Sequence, residues 1–240
     1  MFYLTYAGYE LKKWVRDPFA RFMIAWPLVL AAIIRFAVPI AEERFGMSFA
    51  PYYHVVLAAV AVLVSRVSGA IVAFSILDDR DDNVLFSVRV APLSMEFYIG
   101  LKLFLVYVGS VIASAFAIWF SSLSDVSWGV ILGVSAVAAL GAPMAALLIN
   151  VVAGNKVEGF AAIKATGISA VAPIVALFFF DAKEFWFAVE PGFWPAKALT
   201  AATLGNNMMR LNYGTYLSVG LAYGAALVLL LYRLFMRRAQ

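Results

Sequence analysis

The sequence predicts an all-α integral membrane protein with six transmembrane helices. Of its 240 residues, 65% are hydrophobic and only 13% are charged, and the mean hydropathy is +0.92. A soluble domain has about 45–50% apolar and about 25% charged residues, so this composition excludes a water-soluble globular class. The chain has no cysteine, and its one histidine is His54. Disulfide scaffolds, thiolate chemistry and sites built from several histidines are therefore excluded.

Six stretches reach the length of about 20 apolar residues that a helix needs to cross the hydrocarbon core. They lie at about 22–41, 52–77, 99–122, 128–153, 161–180 and 215–236. We expect residues 1–240 to form a single transmembrane domain, because the segments between these spans are too short for a catalytic domain outside the membrane.

Residues 1–21 are predicted to form an amphipathic helix on the membrane surface. Glu10 and Lys13 fall away from its apolar face. That face consists of Leu4, Ala7, Leu11, Trp14 and Val15. An ordinary basic boundary of the first span is the alternative. Asp17 and Pro18 are typical of the cap and first turn of the next helix.

The basic residues predict the orientation of the chain. With the N-terminus inside, twelve of the 18 lysines and arginines lie on the inner side and four on the outer side. The positive-inside rule then places both termini in the cytoplasm of a cell whose inner (plasma) membrane holds the chain. The net charge of +4 indicates contact with anionic membrane lipid rather than with nucleic acid.

The segment 182–213, before the last span, is predicted to be extracellular. Its apolar part is interrupted by Pro191, Gly192 and Pro195 and is too short for two crossings. We expect short interfacial or re-entrant helices there, rich in aromatic side chains.

The densest polar feature is the run Asp78, Asp79, Arg80, Asp81 and Asp82 after the second span. It permits three interpretations: a Mg²⁺–diphosphate site of a membrane transferase, a solvated turn, or a docking surface for a cytosolic partner. The first requires carboxylates that converge from two places, and the sequence has no second aspartate-rich motif. We therefore predict no metal ligand and no catalytic residue in this chain.

The residues after this run favour the docking surface. Asp82 or Asn83 can cap a short helix that ends at Pro92. Its apolar side consists of Val84, Leu85 and Val88. Ser94 then caps the third span, with Glu96 in the first turn. The result is a short helix across the cytoplasmic face between two spans.

Together, the acidic run, this helix, Ala-Pro-Leu-Ser at 91–94, Tyr98 and Lys102 resemble the second cytoplasmic segment of ABC-2 type transporter permeases. Asn-Lys-Val-Glu-Gly at 155–159, with Lys164, is similar to the loop between the fourth and fifth spans of the fluoroquinolone export permeases in that family. The acidic run departs from the family pattern, which is usually rich in glutamate.

The resemblance implies the permease subunit of an ATP-driven exporter, in which residues 78–98 form a coupling segment. A separate ABC ATP-binding subunit carries ATP and Mg, and this chain binds no cofactor. The absence of a G-x-x-x-x-G-K-[ST] motif agrees with that division. A second permease subunit, identical or related, completes a dimer. The implied docking residues are Val84, Leu85 and Val88 (apolar), Asp78, Asp79, Asp81 and Asp82 (rim), and Lys156 and Glu158 (second contact).

Two arginines lie within predicted spans. A charge at that depth costs a few kcal/mol on insertion scales, so it faces protein, water or a lipid headgroup. Arg35 and Arg66 have no acidic partner within any predicted span. They are candidates for a substrate pathway, although Arg35 can also reach outward to Glu42 or Glu43. Asn150 is a further candidate that we expect to hydrogen-bond to another helix.

Two other functions stay open at this point. One is an aspartate-motif membrane transferase that acts on a lipid diphosphate. The other is a secondary transporter, although such proteins usually carry broken-helix repeats and acidic residues within spans.

Overall fold

The computed structural model describes residues 2–84, 88 and 94–239. These residues form helices joined by short turns and contain no strand. Six segments are long and apolar enough to cross a membrane, which confirms the predicted fold class. They are Pro18–Phe45, Ala50–Asp81, Met95–Ser121, Trp128–Val152, Lys156–Ala176 and Tyr213–Arg238.

We number the α-helices of the described residues in chain order. They are α1 (Phe2–Arg16), α2 (Pro18–Phe45), α3 (Tyr53–Asp81), α4 (Met95–Ser121), α5 (Trp128–Ala138), α6 (Gly141–Val152), α7 (Lys156–Ser169), α8 (Val171–Ala176), α9 (Phe193–Leu204) and α10 (Tyr213–Ala239). Short 3₁₀ turns lie at Ala50–Tyr52, Ala182–Phe187 and Asn206–Met208.

Local side-chain chemistry sets the starts of two long helices as predicted. Asp17 caps α2, where its Oδ1 accepts a hydrogen bond from the Ala20 N–H at 2.7 Å. Ser94 caps α4, where its Oγ accepts from the Phe97 N–H at 3.2 Å. Each cap satisfies a backbone donor that has no partner within its helix.

The fourth and fifth spans are each divided into two helices. Pro143 lies in the first turn of α6, and Pro173 lies in the first turn of α8. A proline has no N–H to donate to the preceding turn and its ring crowds the carbonyl four residues back. The break after α7 places an irregular backbone segment beside the cavities described below.

Helix α3 is the centre of the bundle and packs against α2, α4, α6, α7 and α9. Helix α6 approaches closely at Gly69, where an added Cβ would lie 2.8 Å from the Cβ of Ala145. The small residues of the fourth span therefore permit close helix contact, as expected for a membrane bundle.

The hydrophobic core divides into two parts along α3. One part contains Trp14 and Phe235, and it lies at the end of the bundle that carries both chain termini, here called the terminal end. The other contains Leu57 and Tyr216, and it lies at the opposite, far end. Arg66 lies between the two parts of the core.

Helix α1 packs against the terminal end through Trp14 and Glu10. Trp14 is buried as expected, but Leu11 and Val15 are exposed. Glu10, predicted to point away from the apolar face, is buried instead. The reason is that Glu10 contacts Ser75 of α3 and Lys102 of α4.

The segment between the fifth and sixth spans is partly buried within the bundle. Helix α9 packs against α3, α5 and α10. Phe193, Lys197 and Leu199 of α9 are fully buried. The chain then turns back at Gly205, whose positive φ of 91° suits glycine.

Candidate functional site

Arg66 forms an ion pair with Glu190, through Nη2 and Oε1. This partner was not predicted from the sequence, because Glu190 lies outside every predicted span; no acidic residue within a predicted span pairs with Arg66. Both side chains are largely buried, with exposures of 12% and 13%. The other oxygen of Glu190, Oε2, accepts a hydrogen bond from the Gly192 N–H at 2.6 Å. The loop before α9 thus brings a carboxylate to the middle of α3.

Two cavities meet at Arg66. The larger, of about 420 Å³, also contacts Glu190. Most of its remaining walls are apolar side chains of α6, α10 and the loop before α9, namely Met144, Leu148, Trp186, Phe187, Val189, Pro191, Leu227 and Leu231. The smaller, of about 220 Å³, lies between α2, α3 and α7 and includes Phe19 and Phe160. Both cavities touch the end of α7 or the residues just after it, where the fifth span is broken.

Arg35 has a different environment. Its Nη1 donates to the carbonyl oxygen of Phe120 at 2.8 Å, and its guanidinium carbon lies 4.9 Å from the centre of the Phe120 ring. Arg35 therefore ties α2 to the far end of α4. The alternative contact with Glu42 is not made, because Glu42 accepts from the Phe49 N–H at 2.6 Å and from the Tyr53 hydroxyl.

Asn150 makes the interhelical hydrogen bond that was predicted. Its Nδ2 donates to the carbonyl of Ala73 on α3 at 3.1 Å and to that of Ala146 in its own helix at 2.9 Å. The side chain is buried. These contacts make Asn150 a connection between α3 and α6.

A cluster of four charges, of which Glu10, Asp79 and Lys102 are buried and Lys13 is exposed, lies at the terminal end. Lys102 of α4, fully buried, has its Nζ 2.5 Å from Glu10 Oε1 and 2.7 Å from Asp79 Oδ2. Lys13 of α1 forms an ion pair with the other oxygen of Asp79. Two acids and two bases balance each other, as buried charges require. We call these four residues the charge cluster.

Two neutral side chains complete the hydrogen bonds of the charge cluster. Ser75 Oγ accepts from Lys102 at 2.7 Å and donates to Glu10 at 3.1 Å. Tyr98 donates its hydroxyl proton to Asp79 Oδ2 at 2.6 Å. Through these bonds α1, α3 and α4 are held together where α3 enters the predicted coupling segment.

Asp79 was predicted on the rim of a docking surface, and its burial at 2% exposure removes it from that surface. Its carboxylate instead holds Lys13. Burial by itself lowers the pKa of Lys13. The hydrogen bond and negative charge of Asp79, together with the weaker effects of the Glu10 and Asp78 charges, outweigh burial and raise that pKa above its ordinary value.

The two predicted contact segments of the cytoplasmic side lie next to each other. Lys156, at the start of α7, has its Nζ 2.8 Å from Asp78 Oδ1. Arg80 donates to the carbonyl of Ala153 at 2.9 Å. The end of α3 and the loop before α7 therefore form one continuous surface.

Glu158 shapes this loop. Asn155 caps α7 by accepting from the Glu158 N–H at 3.0 Å, and the Glu158 carboxylate accepts from Asn155 Nδ2 at 2.9 Å and from the Gly154 N–H at 2.7 Å. This reciprocal pattern is a variant of the capping box in which the carboxylate accepts from the N–H of Gly154, one residue before the cap. Glu158 therefore has a structural role at the start of α7, although its side chain is exposed at the surface.

Asp81 and Asp82 are exposed at the end of α3. Val84 is half-buried against the terminal core, and Val88 is buried within it. Val88, predicted to dock on a partner, therefore packs against its own chain. Leu85, the third member of the predicted apolar side, lies outside the described residues.

A second buried ion pair lies at the far end. Lys197 of α9 has its Nζ 2.7 Å from Glu184 Oε2, and Tyr216 donates to Glu184 Oε1 at 2.5 Å. All three side chains are fully buried. Sequence reasoning counted Lys197 among the outer loop charges, because nothing local marks α9 as a buried helix.

The sequence does contain one signal for the charge cluster. Ser75 and Asp79 are four residues apart on α3, as are Tyr98 and Lys102 on α4, so each pair shares a helix face. Polar residues at this spacing on two neighbouring helices indicate a shared interface. The signal does not include Glu10, which lies on α1.

A family model described as "Fluoroquinolones export permease protein Rv2686c-like" matches residues 10–232 of this chain. The chain belongs to this family. The match covers the charge cluster, both cavities and the predicted coupling segment. It also confirms the resemblance to the fluoroquinolone export permeases among the ABC-2 type permeases.

Two relatives of the chain come from Mycobacterium tuberculosis. They are the "Fluoroquinolones export permease protein MT2760" of strain CDC 1551 / Oshkosh and the "Fluoroquinolones export permease protein Rv2686c" of strain ATCC 25618 / H37Rv. Each is 29% identical over 242 residues, which cover 94% of this chain and 90% of the relative. No solved structure matches the chain. Relatives in this Rv2686c-like family are export permeases by name, so the chain is a multi-pass membrane protein of the export permease class.

Proposed function

We propose that the chain is the permease subunit of an ATP-driven ABC-2 type exporter and works with a separate ATP-binding subunit. The observation that carries the proposal is the ion pair between Asp78 and Lys156. It joins the two segments that the family resemblance assigns to contact with an ATPase into one surface at one end of the bundle.

The docking surface in this proposal differs from the one expected from the sequence. Asp81 and Asp82 supply its exposed negative charge. The ion pair of Asp78 with Lys156 joins the two segments that make up the surface. Asp79 acts behind the surface, within the charge cluster. Movement of the partner against this surface reaches α1, α3 and α4 together, because the charge cluster binds these helices to one another. The packed helices then change between two arrangements, one that opens the pathway to the cytoplasm and one that opens it to the outside.

The pathway itself is proposed to run through the cavities at Arg66. The names of the relatives suggest a fluoroquinolone as the first substrate to test. A second permease subunit, the same chain or a related one, would complete the pathway, and the exposed apolar faces of the spans contact lipid or that subunit. Both termini and the docking surface face the cytoplasm, in agreement with the positive-inside count.

The transferase alternative loses support from the pairing of the acidic run. Asp78 and Asp79 have lysine partners at distances of ordinary ion pairs. A cation would have to displace these lysines before the carboxylates converge on it.

The test is uptake of a fluoroquinolone into inside-out membrane vesicles that contain the chain with or without its ATP-binding subunit, sought first among neighbouring reading frames. We expect uptake only when both subunits and ATP are present. Uptake that needs no ATP-binding subunit and follows a proton gradient would identify a secondary transporter instead.

A further inference from the structure

We propose that Arg66 binds the anionic group of an amphipathic substrate whose apolar part fills the 420 Å³ cavity, and that Glu190 competes with this group. The inference rests on the proposed export function, since it names the substrate class of that pathway. It begins from the number of donors on Arg66. A guanidinium has five N–H groups, and among the described residues the only ionic or hydrogen-bonding partner of this one is Glu190.

The partner of Arg66 is replaceable. Glu190 lies on the loop before α9, not on a helix, and its Oε2 is held by the Gly192 N–H. When an anion takes the place of Oε1 at Arg66, the arginine keeps a charged acceptor and Glu190 keeps its backbone donor. After the exchange Glu190 keeps this hydrogen bond but loses its cation, so the charge of Glu190 opposes binding of the anion.

The asymmetry between the two charges favours an anion over a cation. Arg66 contacts both cavities, whereas Glu190 contacts only the larger of these two. A ligand in the smaller cavity meets the arginine without the carboxylate. A cationic ligand at Glu190 would also lie beside the permanent charge of Arg66, which repels it.

The walls of the larger cavity define the rest of the ligand. Met144, Leu148, Leu227 and Leu231 form an apolar lining, and Trp186 adds an aromatic surface. A volume of about 420 Å³ lies in the range of sites for drug-sized molecules, about 300–1,000 Å³. The ligand is thus a compact apolar or aromatic body that carries one carboxylate, sulfonate or phosphate group.

The absence of cysteine makes a protection experiment possible on the full chain alone. We place one cysteine at Val189, an exposed cavity residue, by V189C. The control is V157C, at an exposed residue of α7 that contacts neither cavity. The purified chain is reconstituted in phosphatidylcholine nanodiscs, and its rate of reaction with N-ethylmaleimide is measured. The probes are pyrenebutyrate and pyrenebutanol, which differ in the carboxylate.

We expect pyrenebutyrate to slow the labelling of V189C at concentrations where pyrenebutanol has little effect, with no change at V157C. Adding R66Q should weaken protection about tenfold or more, as expected for the loss of a hydrogen bond to a charged group. Adding E190Q should strengthen protection, because the competing carboxylate is gone. Equal protection by both probes, or protection that R66Q leaves unchanged, would overturn the proposal.

Two further arms close the remaining possibilities. If R66Q does not fold, R66K and E190Q test the proposal instead. R66K should keep part of the protection of V189C by pyrenebutyrate. If E190Q does not strengthen that protection, the result counts against the proposal. Nanodiscs with phosphatidylglycerol separate a lipid headgroup from a free substrate. Protection of V189C by this lipid without probe would assign the same anion site to lipid and overturn the substrate role. Because this experiment uses the chain without an ATP-binding subunit, a negative result would overturn the anion site but not the export function, which the uptake experiment tests separately.

Discussion

The Nζ of Lys102 lies 2.7 Å from the Oδ2 of Asp79, and both side chains are almost completely buried. The pair connects the start of α4 to the end of α3, on either side of the predicted coupling segment. Glu10 adds α1 to the same contact. The terminal end of the bundle is thus held by charge pairs, and in the proposed exporter movement of the coupling segment would act on three helices at once.

Replacement of Lys102 by methionine is expected to destabilise the protein by about 3–5 kcal/mol, because it leaves Glu10 and Asp79 with too few cations in a buried site. The measurement is thermal unfolding of the purified chain in detergent. Lys12→Met is the matched control, since Lys12 lies exposed on α1. An unfolding temperature for K102M equal to that of the control variant would show that the charge cluster does not stabilise the fold.

The ion pair of Lys13 with Asp79 predicts a dependence of stability on alkaline pH. The pKa of Lys13 is raised above 10.5 in the folded chain. Protonated Lys13 therefore stabilises the fold fully below that value, and this contribution is lost as the pH rises through the raised pKa. The unfolding temperature of the wild type should fall more steeply above this pH than that of K13M. Parallel curves for the two proteins would contradict the prediction.

Much of the fold follows from local sequence chemistry. The six apolar stretches and the caps at Asp17 and Ser94 were predicted correctly, because length, hydropathy and capping depend on neighbouring residues. The partner of Arg66 was not predicted, since Glu190 reaches it only through the folding of a distant loop. The burial of Glu10 was not predicted for the same reason, because its ionic partner Lys102 lies on another helix.

Two glycines in the spans are expected to respond differently to replacement by alanine. At Gly69 an added Cβ would lie 2.8 Å from Ala145 Cβ, whereas at Gly109 nothing lies within 4 Å. G69A should therefore destabilise by about 1–3 kcal/mol through overpacking. G109A should be neutral or stabilise by up to about 1 kcal/mol through helix propensity. Thermal unfolding measures both, and equal shifts would contradict the close contact of α3 with α6.

The orientation of the chain is testable with single cysteines at two exposed aspartates. Asp82 lies at the terminal end and Asp125 on the loop between the third and fourth spans. In intact cells, a membrane-impermeant maleimide should label D125C, and it should label D82C only after permeabilisation. The reverse pattern would place the docking surface outside the cell and exclude a cytosolic ATPase.

The central claim is that an ATP-binding subunit docks on the exposed acids at the end of α3, and its retention during purification tests this directly. The chain is affinity-purified with the co-expressed subunit as wild type, as D81K/D82K and as D125K, the charge-matched control at the far end. We predict that wild type and D125K retain the subunit and that D81K/D82K loses most of it while remaining folded. Equal retention by all three proteins would contradict the account.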